Sequence, residues 1–207
     1  MTEGWPVHTS GGVRSAYFIV LFALLSLASC DTMVLEALEN ICITKRDVLI
    51  DRIESAQEAQ EDGHEQFKSA LEEFKTVLAF DGGDLEAAYS SLNGEYEDSV
   101  SAAEEISDRI DSVESVAEAL FNEWQTELAE YTSASLRRDS ERQLRATRNR
   151  YNRLMTSMRS AEQSIEPVLA SLKDNVLYLK HNLNARAIAS LRGELANVDG
   201  DVTRLLE

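Results

Sequence analysis

The side chains that most often carry catalysis or hold metals are sparse in this sequence. Histidine occurs three times in 207 residues, and only His64 and His181 lie beyond the N-terminal segment. Neither stands in a Ser/His/Asp or Cys/His arrangement. Residues 61–64 read Glu-Asp-Gly-His and match the Glu-x-x-His element of di-iron helical proteins, but that fold needs two such elements and the chain has one. We interpret this stretch as a solvent-exposed helix face, and we expect a non-enzymatic protein with no metal, no cofactor and no catalytic residue.

The paired glycines Gly82 and Gly83 do not form a phosphate-binding loop. No Gly-Lys-Ser/Thr sequence follows them, and the flanking Asp81 and Asp84 would repel phosphate. Paired glycines end a helix well, and Asp84 is a good N-cap for the next one. We therefore predict a turn at this position.

Charge is distributed unevenly along the chain. The net charge is -17, which disfavours nucleic acid and anionic lipid as partners for the chain as a whole. Residues 51–130 carry 23 carboxylates against four cationic side chains, whereas residues 131–160 carry eight arginines against Asp139 and Glu141. If the two segments are antiparallel helices, opposed charges select the partner and its direction. We favour this intramolecular pairing over a nucleic-acid site, because Tyr151 is the only aromatic residue that interrupts the arginines.

The N-terminal segment is typical of a bacterial lipoprotein leader. Residues 16–28 form an uncharged apolar run. As a helix this run would span only about 20 Å, which is short of the roughly 30 Å of a bilayer core. Leu27-Ala28-Ser29-Cys30 follows and resembles the lipobox, in which the cysteine is lipidated and becomes the new N-terminus. The sequence predicts a signal peptide at 1–29, cleavage between Ser29 and Cys30, and attachment of the mature protein to the membrane through lipid on Cys30.

Residues 1–12 lack the positive charge expected of a leader, so we expect the true start at Val13, next to Arg14. Asp31 follows the lipidated cysteine and favours the inner membrane in some bacteria, with the outer membrane as the alternative. These features predict a periplasm-facing lipoprotein of the cell envelope. Cys42 is then the only other thiol, and we interpret it as a small core residue.

Heptad-like spacing is the strongest pattern in residues 30–207. Leu85, Leu92, Ser99, Ile106 and Val113 begin one seven-residue series, and a parallel series begins at Tyr89. Similar series run through residues 49–77 and 144–179, with a break or register shift expected near Pro167. We predict an all-α fold, an elongated antiparallel three-helix coiled-coil-like bundle forming a single domain at 30–207, with helices at roughly 33–79, 85–131 and 135–205.

One stretch of the third helix is poor in helix-forming surface residues. Asn175 and Asn182 lie seven residues apart on one face, and buried asparagines commonly fix helix register. The alternative is an interaction surface, formed by Tyr178, His181, Asn182, Asn184 and Arg186.

Five long stretches of the chain resemble one bacterial envelope family, domain of unknown function 2959. They are ITKRDVLIDRIESAQEAQ at 43–60, EQFKSALEEF at 65–74, FDGGDLEAAY at 80–89, SLRRDSERQL at 135–144 and LKHNLNARAIASL at 179–191. The resemblance implies a helical envelope protein with a lipoprotein-type leader, and it implies no activity, cofactor or catalytic residue.

Two functions fit these patterns. The first is a lipid-anchored structural or protein-interaction rod that binds a protein partner or itself. The second is handling of lipid or another apolar ligand at the membrane, in a groove between helices lined by Tyr89, Tyr96, Trp124 and Tyr151.

Overall fold

A computed structural model describes residues 45–80, 82 and 84–206 of the chain. This part of the protein contains helices and no strand, which confirms the predicted all-α class. Its six helices, in chain order, are α1 (Lys45–Leu78), α2 (Leu85–Glu127), α3 (Ala134–Gln163), α4 (Ile165–His181), α5 (Ala185–Leu191) and α6 (Leu195–Leu206).

Helices α1 and α2 form an antiparallel pair, as the heptad series predicted. All five members of the series from Leu49 to Val77 are buried on α1, and Leu92 to Val113 supply the facing series on α2. The turn between them uses the residues expected. Gly82 has φ of 144°, a conformation that favours glycine. Asp84 caps α2 by accepting hydrogen bonds from the backbone of Glu86 and Ala87.

The third predicted helix, 135–205, is wrong as a continuous element, because four helices occupy that range. The first break falls at Ser164, close to the expected position. Pro167 has no N–H to donate to the carbonyl of Gln163, so the helical ladder is interrupted there. The second break, at 182–184, and the third, at 192–194, were not predicted.

Side-chain hydrogen bonds of two asparagines fix the second break. Asn182 Nδ2 donates to the carbonyl of Tyr178 at 2.9 Å and satisfies the end of α4. Asn184 has extended backbone angles, and its side chain accepts from the backbone N–H groups of Arg186 and Ala187, which is an N-cap geometry for α5. As a consequence Leu183, which lies between the two asparagines, is 44% exposed.

Because the chain reverses direction after α4, helix α6 packs as the fourth helix of a bundle with α1, α2 and α4. It packs on α4 and on α1, where Lys75 of α1 forms an ion pair with Asp199 of α6 at 3.4 Å. Arg192, just before α6, donates through Nε to the carbonyl of Leu78 at the end of α1. Helices α1, α2, α4 and α6 therefore run up, down, up and down around one core. Side chains at its centre include Phe67, Phe74, Ile110, Leu172 and Val198.

Helix α3 is packed far less than its neighbours. It lies antiparallel on the C-terminal half of α2, and only Leu144, Met155 and Met158 are buried among its 30 residues. Most of its surface therefore faces solvent. This helix carries the eight arginines of residues 131–160, which we call the arginine cluster.

Candidate functional site

The contact between α2 and α3 is held by aromatic side chains. Trp124 Nε1 donates a hydrogen bond to Ser140 Oγ at 2.7 Å, which joins the two helices near their turn. Further along, the rings of Phe121 and Tyr151 meet edge to face with centroids 5.3 Å apart. The guanidinium of Arg148 lies 5.1 Å from the centroid of the Phe121 ring. These contacts give α3 a defined position on α2 despite its small buried face.

An open groove of about 430 Å³ follows this contact. It is lined by Glu114, Glu118, Phe121, Asn122, Arg148, Tyr151 and Asn152. Burial raises the pKa of Tyr151, and the negative charge of Glu114 raises it further, so the phenol is held neutral. The groove lining thus combines charged side chains with two aromatic rings.

Arg159 closes the inner end of the α2–α3 contact. Its guanidinium donates to Asp111 at 2.5 Å and to Glu114 at 2.7 Å on α2, and also to Glu162 on α3. The hydrogen bond to Asp111, followed by that to Glu114, raises the pKa of Arg159 above its ordinary value. This is the charge pairing that the sequence predicted between the acidic and arginine-rich helices.

For the other arginines that prediction is wrong. Among the described residues, Arg137 pairs only with Glu141 and Arg142 only with Asp139, both on α3 itself. The structure gives the remaining arginines no ion pair with any described residue. They are Arg138, Arg145, Arg148, Arg150 and Arg153. Intramolecular neutralisation therefore does not account for the arginine cluster.

Four of the exposed arginines form a line that we call the arginine stripe: Arg138, Arg142, Arg145 and Arg153. Their spacing of i, i+4, i+7 and i+15 places them within an arc of about 80° on a helix with 3.6 residues per turn. The stripe is about 22 Å long at 1.5 Å per residue. Such a row of guanidinium groups can make charge-assisted hydrogen bonds with carboxylates.

The interaction surface proposed from the sequence lies at the turn between α4 and α5. Asn182 and Asn184 end one helix and cap the next, so their side chains have structural roles. Tyr178, His181 and Arg186 are exposed. The surface therefore separates into two capping residues and three that are accessible to a partner.

A second open space, the α4–α5 groove, adjoins this turn and has a volume of about 400 Å³. Its lining residues come from α4 and from the segment that doubles back along it: Ser171, Asp174, Asn175, Tyr178, Ser190, Leu191 and Glu194. Of these, only Asn175 and Tyr178 were noted as candidates from the sequence. No local pattern marks the others, because the unpredicted break at 182–184 creates the groove.

The aromatic residues proposed to line one apolar groove do not lie together. Tyr89 and Trp124 both lie on the continuous helix α2. Their 35-residue separation corresponds to about 53 Å along the helix axis. Only Tyr151 of the four lines the groove between α2 and α3. The arrangement does not form a shared aromatic site.

Residues 61–64 lie on α1 as expected. Glu61 and Asp62 are exposed, Gly63 is buried, and His64 is half-buried next to Gln60 and Phe67. Among residues 45–80, 82 and 84–206 the structure contains no group of three or more His, Cys, Asp or Glu side chains able to hold a metal ion.

The predicted start at Val13, the cleavage site at Ser29 and Cys30, Asp31 and Cys42 lie outside the described residues. None of the described helices is both long enough and apolar enough to cross a membrane.

The described residues define an all-helical class of domain. The family described as protein of unknown function (DUF2959) matches residues 34–207. The chain belongs to this family, in agreement with the resemblance seen in the five sequence stretches. Comparisons with curated proteins and with solved structures give no match.

Proposed function

We propose that this is a non-enzymatic, lipid-anchored protein of the bacterial cell envelope that acts through protein–protein contact, with the arginine stripe of α3 as its docking surface. The observation that carries the proposal is the stripe itself, since its guanidinium groups are exposed and only Arg142 has an ion pair among the described residues.

The stripe does not stabilise the helix on which it lies. Arg138 and Arg142 are four residues apart and Arg142 and Arg145 are three apart, and like charges at these spacings cost about 0.2–0.5 kcal/mol per pair. Helix α3 also buries few side chains, so it has little packing energy to offset that cost. A bound carboxylate-rich surface would remove the repulsion.

The partner that we propose is the acidic face of α2 in a second copy of the chain. Glu97, Glu104, Asp108 and Asp111 are exposed, and we call them the acidic stripe. At 3.6 residues per turn and 1.5 Å per residue they lie within an arc of about 60° and span about 21 Å. The acidic stripe matches the arginine stripe in length and opposes it in charge. Of its four members, only Asp111 forms an ion pair with a described residue.

The two stripes occupy neighbouring sections of the same helical hairpin. Arg159 contacts Asp111 and Glu114, and Ser140 contacts Trp124, so the arginine stripe lies beside the part of α2 that follows Glu114. The acidic stripe precedes that part. A two-fold axis across the hairpin places each arginine stripe on the acidic stripe of the other copy, and the same contact then forms twice.

Charge reversal on both sides tests this contact. In one variant Arg138, Arg142 and Arg145 are changed to Glu, and in a second Glu97, Glu104 and Asp108 are changed to Lys. Sedimentation velocity at low ionic strength should show self-association of the wild type, monomers for each variant alone, and a restored complex when the two variants are mixed. Because each variant then presents two stripes of one sign, the mixture re-forms both contacts.

A control for the arginine variant carries the same loss of positive charge at exposed positions away from both stripes, with Lys68, Lys173 and Lys180 changed to Glu. It should associate like the wild type. If the wild type is monomeric under all conditions, or if the mixed variants do not associate, a second copy is not the partner.

The anchoring part of the proposal has a separate test, Cys30→Ala. We expect this variant to lose membrane retention and, with it, the crosslinks between copies that form in intact cells, because tethering raises the local concentration of a weak contact. Retention of Cys30→Ala at the wild-type level would contradict lipid anchoring, whatever the outcome of the charge-reversal test.

A further inference from the structure

The α4–α5 groove contains a buried polar side chain with one unused hydrogen-bonding atom. Asn175 is 5% exposed, and its Nδ2 donates to the carbonyl of Ser171 at 2.7 Å. Only the amide nitrogen can donate to a carbonyl, so the orientation of the amide is determined by chemistry. Its Oδ1 is the other end of the group, and it accepts no hydrogen bond from any described residue.

Two carboxylates share the groove with this free acceptor. Asp174 and Glu194 line the same groove, and neither forms an ion pair within the described part of the chain. Glu194 accepts a hydrogen bond from Asn197 Nδ2, which leaves its other oxygen available. No cationic side chain of residues 45–206 lines the groove, and the nearest arginine in sequence, Arg192, is directed to the carbonyl of Leu78.

Tyr178 completes the lining with an aromatic ring that is 39% exposed. An aromatic face next to carboxylates attracts cations, and a cation over a tyrosine ring gains about 0.5–2 kcal/mol depending on its desolvation. An anionic ligand would meet two unneutralised carboxylates. The lining therefore selects a ligand that donates hydrogen bonds and carries positive charge.

From this lining we infer that the α4–α5 groove is a binding site for a protonated amine or guanidinium group, which donates to Asn175 Oδ1 and is neutralised by Asp174 and Glu194. The groove volume of about 400 Å³ is large enough for such a group. A volume of this size is common among small-ligand sites. A free polyamine and the side chain of a basic peptide both present this chemistry.

Titration calorimetry with two probes separates those sources. The purified protein is titrated with spermidine and, separately, with tri-arginine, at an ionic strength of about 0.15 M so that diffuse attraction to the acidic chain is screened. Binding of spermidine assigns the site to free amines, and binding of tri-arginine alone assigns it to a peptide side chain. Absence of binding by either probe overturns the inference.

Two variants test the groove itself. Asn175→Leu removes the free acceptor, and Asp174→Asn with Glu194→Gln removes the charges at exposed positions that leave the core untouched. Each should raise Kd by about tenfold or more, which is the effect of losing a hydrogen bond to a charged group. If Asn175→Leu does not fold, the exposed pair alone decides the outcome.

The matched control is Glu61→Gln with Asp62→Asn, which makes the same change in net charge at exposed positions of α1, away from the groove and from both stripes. It should bind the probe with wild-type affinity. Equal weakening in the control and in the groove variants would mean that the probe binds to the acidic surface in general, and this result overturns the assigned site.

Discussion

Gly63 is buried where α1 faces α2. A Cβ atom added at this position would lie 2.6 Å from Ile106 Cδ1, so the end of that buried side chain would have to move. A Cβ atom added at Gly94, on α2, would have no neighbouring atom within 4 Å. The two glycines thus lie in helices of one hairpin, but only at Gly63 would an added methyl group displace a neighbouring side chain.

We predict opposite effects of alanine at these two glycines. Gly94→Ala should stabilise the fold by about 0.5–1 kcal/mol, because alanine is the better helix former. Gly63→Ala should destabilise it by about 1–2 kcal/mol, because overpacking outweighs that gain. Urea unfolding followed by circular dichroism measures both changes.

The cause is tested by Ile106→Val, which deletes the Cδ1 atom in conflict. In that background the cost of Gly63→Ala should shrink or change sign. An unchanged cost would show that the close approach to Ile106 is not the reason for glycine at position 63.

Tyr151 gives a pH-dependent prediction. Burial raises its pKa, so the folded state favours the neutral phenol. The stabilisation that the neutral phenol contributes is complete below the pKa of the unfolded state, about 10. It is lost as pH rises through the pKa of the folded state. Tyr151→Phe should therefore show a smaller fall in unfolding free energy than the wild type on going from neutral pH to above that value.

The exposed Tyr131 provides the control for this experiment. Denaturant unfolding of Tyr131→Phe is measured over the same pH range. If both phenylalanine variants flatten the pH dependence equally, burial of Tyr151 is not the source of the effect.

At the scale of the elements, the short helix α5 depends on its cap. Asn184 accepts from the N–H groups of Arg186 and Ala187, and a seven-residue helix has little other support. Asn184→Ala should cost about 1 kcal/mol and increase amide hydrogen exchange in residues 185–191. Asn184→Asp keeps the acceptor and should stay close to the wild type. Loss of protection in both variants would mean that something other than the cap maintains α5.

The helices that the sequence predicted well are those with a continuous local signal. In α1 and α2 the buried heptad positions, the glycine turn and the Asp84 cap all indicate the same hairpin, and the structure confirms it. Pro167 marked the break between α3 and α4, because a missing N–H acts on its own helix. Local rules were sufficient for these elements.

The later breaks could not be predicted in the same way. Asn182 and Asn184 can serve a helix surface, a buried register contact or a cap, and the choice depends on whether α6 can pack against α1 and α4. That packing joins residues more than a hundred positions apart, such as Lys75 and Asp199. The α4–α5 groove depends on the same break, so most of its lining was equally unpredictable.

The orientation of the arginine cluster could not be predicted for a different reason. Opposed charge patterns predicted which helices are neighbours, and α2 and α3 are indeed antiparallel neighbours. Charge patterns do not determine which face of a helix points inward. The three buried apolar side chains of α3 do so, and they turn most arginines toward solvent.

For the whole molecule, the net charge of -17 predicts an unusual response to salt. Self-repulsion among the carboxylates is screened as the Debye length falls from about 30 Å at 0.01 M to about 3 Å at 1 M. We expect Tm, measured at high dilution, to rise over this range by about 2–4 °C for each kcal/mol gained. Self-association through the stripes should weaken over the same range of salt concentration. If self-association instead became stronger as Tm rose, attraction between the two charged stripes would not be its cause.

The packing of α6 on α1 also has a consequence for the order of folding. Val198, Val202 and Leu205 are buried in the last twelve-residue helix, and Leu205 lines the same small cavity as Phe67 of α1. At roughly 5–20 residues per second, about 6–26 s pass between synthesis of α1 and synthesis of its last covering helix. During that interval the apolar face of α1 that α6 covers stays open, and a chaperone can bind it. The core can be completed only after α6 has been made.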